Sequence, residues 1–395
     1  MNPVARLVAA LGVAQIISWG SLFYAIGVLG KPMRVELGVS ELFLFSAFTA
    51  GLLVSGFLAP WAGRHIDRDG GRAVLCAGSI AAAVAMALLA LASGPVTLVA
   101  GWLLAGAAMA GCLYDPAFAA LSYHTGERYR RAVTTLTLYG GFASTVFWPL
   151  SQVLLDAIGW RLAFASYAAM HVLVCLPIHR FVLPPRRGGE GAISHATAPR
   201  VVKPAPSLRA FAAAIAVATF VFSVMAVHLI NLLTAAGVPT GQAVVISMLV
   251  GPMQVAGRVA ELILGARVRP VHVGMAAFVL MVLATGALIA VHGAGVLAFL
   301  FVIAYGCGNG LLTIARGTVP AELYGREGLG GLLGYVARAG MFAKASAPAA
   351  WPALLALGLS RPLGLAVLLA TAGAGLGAYA WGLRRHAREV SRAAL

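Results

Sequence analysis

Five charged residues stand inside stretches of this chain that are otherwise apolar: Arg258, Arg338, Lys344, Asp115 and Glu261. A charge near the centre of a bilayer costs roughly 2.5–3.5 kcal/mol on insertion scales, so such residues persist where they are paired, wetted or used. A guanidinium grips a carboxylate through two parallel hydrogen bonds and keeps its proton at physiological pH, which makes Arg258 and Arg338 candidate anion clamps. Glu261 lies three residues beyond Arg258 on the same helix face, and an internal ion pair is the competing expectation for Arg258. Arg338 has no acid within a helical turn and is expected to face a wet cavity. Lys344 is expected to snorkel along its stem. Asp115, the only acid in an apolar run of the first half, reads either as a proton-binding carboxylate or as a partner for Arg128 or Arg131.

Uncharged polar groups recur in the same runs: Gln15, Trp19 and Tyr24, then Tyr139, His228, Asn231, Gln254, Tyr305 and Asn309. Each could line a cavity, although a single such group is more often an interhelical hydrogen bond. His171 reads as structural, and Cys76, Cys112, Cys175 and Cys307 as packing. No paired catalytic acids, metal-spaced His/Cys set, Ser-His arrangement or phosphate-binding loop is visible, so no enzyme activity, cofactor or metal is expected. Charge also gathers in Gly63-Arg64-His65-Ile66-Asp67-Arg68-Asp69-Gly70-Gly71-Arg72, a polar hairpin between two apolar runs.

The elements that position these residues follow from composition. With 61% apolar and 10% charged residues, the 395-residue chain cannot cover a water-facing surface and reads as an all-α polytopic membrane protein. Apolar runs between polar or Gly/Pro breaks place helices near 7–29, 40–62, 73–92, 96–121, 133–156, 162–183, 208–235, 241–264, 273–291, 295–316, 329–355 and 362–383. The first run looks like an uncleaved span and not a signal peptide. With both termini cytoplasmic, 21 of the 28 Lys and Arg fall in inner segments and four in outer ones, which sets the orientation. The net charge of +16 is thus a topology signal, and no nucleic acid is expected as a partner.

Residues 184–207, with five prolines, read as a linker between an N-terminal bundle, 1–183, and a C-terminal bundle with a short tail, 208–395. A shift of 199 aligns Gly38-Val39 with Gly237-Val238, Gly126 with Gly325, Gly141 with Gly340 and Pro149 with Pro348, and a shift of 200 aligns Gly51 with Gly251. Two parallel repeats predict a site between the bundles near the midplane.

The 63–72 stretch resembles the signature loop between the second and third helices of the major facilitator superfamily of secondary transporters. Tyr24 to Pro32, Tyr114-Asp115-Pro116-Ala117-Phe118, Arg130-Arg131 with Gly140-Gly141, and Gly257-Arg258 are similar to its monocarboxylate-transporter and oxalate/formate-antiporter branch. The resemblance implies twelve helices in two six-helix bundles, alternating access, and a small organic anion, a monocarboxylate, as substrate. It also implies that Arg258 holds the carboxylate, with Lys31 at the outer end of the first helix. Members often carry an aspartate four residues before that arginine; Gln254 stands there, leaving Asp115 or Glu261 to couple protons. The resemblance makes Gly63, Asp67, Arg68, Gly71 and Arg72 a conformational gate, Asp67 meeting the start of the eleventh helix near Gly328-Leu329. Export of amphipathic or drug-like compounds is the other transport reading, against which Gly140 to Pro149 does not fit the drug-antiporter motif. A membrane-embedded enzyme or receptor lacks supporting motifs. The lipid bilayer of a cell inner (plasma) membrane is the expected setting, and the oligomeric state is open.

Overall fold

Backbone amides in hydrocarbon can bond only to one another, so long apolar runs fold as helices. The computed structural model describes residues 3–185, 204–265, 267–293 and 295–393. The first pass is α1 (Pro3–Trp19), a π-helical turn (Gly20–Tyr24) and α2 (Ile26–Glu36). Then come α3 (Glu41–Asp69), α4 (Gly71–Ala90), α5 (Pro95–Cys112) continued by α6 (Tyr114–Thr125), α7 (Tyr129–Gly141), and α8 (Ala143–Met170). Gly159 (φ 77°) folds α8 back on itself, so its second part begins the sixth pass. The second half holds α9 (Pro206–Thr234), α10 (Thr240–Met248) with α11 (Val250–Leu264), α12 (Pro270–Ala290), α13 (Val296–Tyr324), α14 (Leu329–Ala356) and α15 (Arg361–Ala393).

Nine described stretches are long and apolar enough to cross a bilayer, and one of them, Pro95–Val182, makes three passes. With α14 they make twelve passes, as the resemblance implies. Buried apolar side chains gather in two cores, one built from residues between Leu7 and Leu183 together with Leu329, Leu333 and Ala345 of α14, and the other from residues between Leu208 and Tyr379. Of the expected linker, residues 186–203 lie outside the described residues.

Several expected boundaries move, and the first and last passes extend over Pro3–Glu36 and Arg361–Ala393. The helices placed at 40–62 and 295–316 run on to Asp69 and Tyr324. The 63–69 stretch is therefore helix, and the turn narrows to Gly70 (φ 83°). Charged side chains at a membrane surface are solvated without breaking the helix that carries them, so polarity marked where the bilayer ends and not where the helix does. Arg316, expected at the inner end of its helix, stands well inside α13 for the same reason.

The repeat is visible in backbone conformation. Gly38, Gly126 and Gly159 have positive φ, and so do Gly237, Gly325 and Gly358, each 199 residues on. Side-chain-bearing residues avoid that region, so the turns of the two halves share one requirement. We call the face bearing Gly70, 126–128 and Gly325 the basic face, and that bearing Gly38, Gly159, Gly237 and Gly358 the opposite face.

The fourth pass breaks at Leu113, between α5 and α6. Pro116 has no N–H to offer the Cys112 carbonyl, and Gln15 of α1 replaces it: its Nε2 donates to that oxygen at 2.8 Å, fully buried. Gln15 thus splints a broken helix and does not line a cavity. Gln15→Leu should lower stability by roughly 1–3 kcal/mol, the cost of an unmet buried carbonyl, seen as a lower melting temperature of the purified protein.

Candidate functional site

The π-helical turn of the first pass lies at the centre of the molecule. An extra residue in a helical turn rotates the side chains beyond it, and here it presents neighbouring aromatic rings together. Trp19 packs on Phe23 (5.6 Å between centroids), Tyr24 (6.4 Å) and Tyr114 of α6 (5.1 Å). Phe23 meets Phe48 of α3 at 5.6 Å, and Tyr24 meets Trp148 of α8 at 5.9 Å.

Lys344 enters this cluster from α14, in the other half. Its Nζ lies 3.7 Å from the Phe23 ring centroid and 5.4 Å from that of Trp19, the geometry of a cation over aromatic faces. The side chain is half-buried and its ammonium points into the aromatic cluster, so it does not snorkel to a membrane surface. Arg258 of α11 is buried on the other side of the cluster, within electrostatic reach of Tyr24 and Tyr114. Its Nη1 donates to the Thr137 carbonyl of α7 (3.0 Å), which also accepts from the Tyr114 hydroxyl (3.3 Å). That carbonyl belongs to the last turn of α7, where the helix dipole favours a cation. The guanidinium fits because Gly141 has no side chain: a Cβ there would collide with it.

From this level to the basic face the two halves are bolted together. Asp115 of α6 pairs with Arg316 of α13 at 3.2 Å. Glu261 of α11 accepts from Arg130 Nε at 2.7 Å and from Thr134 Oγ1 at 2.5 Å, both on α7. Arg130 also reaches the Val268 carbonyl, and the Tyr129 hydroxyl donates to the Gly317 carbonyl at 3.0 Å. Asp67 of α3 lies at the start of α14: its Oδ1 accepts from Gly330 N (2.8 Å) and Tyr123 Oη (2.8 Å), and its Oδ2 from Gly331 N (2.6 Å). The first turn of a helix has free N–H groups and the positive end of the dipole, so a carboxylate caps it.

Close approach along α3 and α14 makes this cap reachable. A Cβ at Gly63 or at Gly330 would overlap the other's backbone, and Gly334 lies against Ala59 and Pro60. Gly63→Ala should therefore push the seam apart and shift the molecule from basic-face closure. Faster labelling of a cysteine introduced at Gly331 would register the shift.

Several expectations are corrected. Glu261 pairs with Arg130, not with Arg258 three residues before it, because a helical neighbour shares a face while a partner across the interface can be approached head-on. Asp115 pairs with Arg316, not with Arg128 or Arg131. Arg338 faces away from the cluster: it is exposed and lies over the Phe57 ring at 5.8 Å. Tyr305 is 1% exposed and its hydroxyl donates to the Phe222 carbonyl at 3.0 Å, inside the second core. The Tyr139 ring fills the space beside Gly12 of α1. Of the expected gate, Arg72 donates to the Leu183 carbonyl (2.8 Å), Gly71 abuts Ala120, and Arg68 pairs with Asp69 (2.9 Å). Those three contacts stay within the first half, whereas Gly63 and Asp67 meet α14 of the second.

Asn309 is half-buried, two turns from Arg316 on the same face of α13. Gln254 is half-buried where α11 crosses α13 at Gly310, and His228 and Asn231 lie toward the opposite-face end of α9. Lys31 is exposed in the middle of α2. Lys344, Phe23, Trp148, Arg130, Thr134 and Arg316 were not read from the sequence as site residues. For the last three, the missing information is a partner more than a hundred residues away.

A search of curated proteins gave no match. Among solved structures, the E. coli fucose:proton symporter FucP superposes with a TM-score of 0.74 at 14% identity, covering 97% of this chain and 98% of that one. The human organic anion transporter MFSD10 superposes at 0.71 and 16% identity, over 98% and 100%. These likenesses show the fold, and the family model of the Major Facilitator Superfamily matches residues 11–348. With twelve passes, a central cluster between two halves and a family match over most of its length, the chain belongs to the Major Facilitator Superfamily of transporters.

Proposed function

We propose that this transporter carries a small organic anion, a monocarboxylate in the first instance, bound between Lys344 and Arg258. The observation that carries the reading is the charge balance at the centre. Asp67 is spent on helix amides, Asp115 on Arg316 and Glu261 on Arg130. Lys344 has ring faces as its partners and Arg258 a carbonyl, so the centre has cations whose charge no described carboxylate balances. A bound carboxylate would supply the balance, with its apolar part against Trp19, Phe23 and Trp148. In this reading Asn309 and Gln254 orient it, and Lys31 draws it in from the opposite face. One structural neighbour is described as an organic anion transporter, which agrees with this class of cargo, while the other is described as a symporter of fucose, an uncharged sugar, with protons.

Transport then proceeds by rocking the 1–183 and 208–395 bundles, with both termini and the basic face in the cytoplasm and the protein in the inner (plasma) membrane. Protons couple through Asp115 or Glu261: neutralising either carboxylate removes the charge from a bridge between the halves. The test is equilibrium binding to purified protein of a monocarboxylate series against the corresponding neutral amides and hydrophobic cations. Carboxylates should stabilise the protein and amides should not; stabilisation by the cations alone would overturn the reading.

A further inference from the structure

The α3–α14 seam has a second flank, turned away from the central cluster. On it stand Phe57, Trp61 and Arg64 of α3 with Arg338 and Phe342 of α14. Phe57 is 60% exposed and meets Phe342 edge-on at 4.8 Å; Trp61 is 52% exposed. Gly56 abuts the Arg338 carbonyl, so Arg338 is level with Phe57, near the middle of the 29-residue α3. Among the described residues its guanidinium has one partner, the Phe57 ring. Arg64 is also exposed, seven residues nearer the basic face than Phe57, or about 10 Å along the axis. The stem of Arg64 crosses the seam beside Gly331 of α14.

A guanidinium facing acyl chains at this depth is costly unless it draws phosphate and water to itself. A second arginine lies below it on the same flank, and Trp61 lies between the two, a residue type that settles at a lipid headgroup boundary. We propose that this flank binds one anionic phospholipid of the leaflet on the basic face. Its phosphate lies between Arg338 and Arg64, and its acyl chains along Phe57 and Phe342. Because Arg338 belongs to one half and Arg64 to the other, the lipid bridges the seam and favours basic-face closure.

The experiment uses the full-length protein in phosphatidylcholine nanodiscs doped with phosphatidylglycerol, with retained lipid counted by native mass spectrometry. Wild type should retain phosphatidylglycerol in preference to phosphatidylcholine. Arg338→Gln and Arg64→Gln should each cut that preference about fivefold, and Arg338→Lys should keep most of it. Carboxylate binding by Arg338→Gln in lipid-free detergent should match wild type. An unchanged lipid preference in Arg338→Gln and Arg64→Gln would overturn the proposal. So would displacement of the lipid by soluble glycerol phosphate, which would mark an ordinary phosphate site, or loss of carboxylate binding in Arg338→Gln, which would put that side chain in the transport cavity.

Discussion

Lys344→Gln is expected to weaken monocarboxylate binding roughly ten- to a hundredfold, the range that loss of one hydrogen bond between charged groups covers. The residue is half-buried over two rings and has no role in closing the basic face, so the change should appear in affinity with thermal stability little altered. Lys344→Arg keeps the charge but exchanges a compact ammonium for a planar fork on a crowded aromatic surface, and should recover binding in part. Arg258→Gln should also lose affinity, with a second effect. Its guanidinium donates to Thr137 across the interface, so the variant should favour opening of the basic face as well. Isothermal titration of both variants with one carboxylate, alongside its amide, separates the two contributions. Unaltered affinity in Lys344→Gln would remove the ammonium from the site.

Asp67→Ala should leave substrate affinity near wild type and slow or abolish transport. The carboxylate accepts from two backbone amides of the opposite half at 2.8 and 2.6 Å, where the dipole of α14 adds to the attraction. Two charge-assisted bonds at a partly wet site contribute on the order of 2–4 kcal/mol to the closed state, and their loss moves the open-to-closed ratio about thirtyfold or more. Asp67→Asn keeps one acceptor oxygen and should fall between. Spin labels at 69 and 327, both exposed, should show the separation widen in Asp67→Ala. A variant that transports normally with the short distance intact would mean that the cap is dispensable.

The passes and the repeat were legible because their causes are local. Twenty apolar residues make a spanning helix wherever they occur, and Gly38, Gly126 and their counterparts mark turns whatever packs around them. The partners of Asp115 and Glu261 were not, because each is set by how two bundles meet. The exchange of roles between Arg338 and Lys344 is the most instructive case. Gly330 and Gly334 mark the stripe of α14 that packs on α3, and the two cations stand about 60° to either side of it. Helical phase thus said that one of them faces the cluster and the other the lipid, but not which. The absence of an acid within a turn, which singled out Arg338, and the snorkelling expected of Lys344 carry no information about direction.

The ionic and backbone bolts described above, those of Asp67, Asp115 and Glu261, lie on the basic-face side of Lys344, while the opposite-face turns repeat one glycine design in both halves. The energy of one end state is therefore written in a handful of side chains, and that of the other in residues elsewhere. Selection can raise or lower one without touching the other. A lineage could convert a protein that rests empty-handed toward one compartment into one that rests toward the other by single substitutions at Asp67, Arg130 or Arg316. Its binding cluster would be unaltered, so a change in resting direction need not be a change in diet.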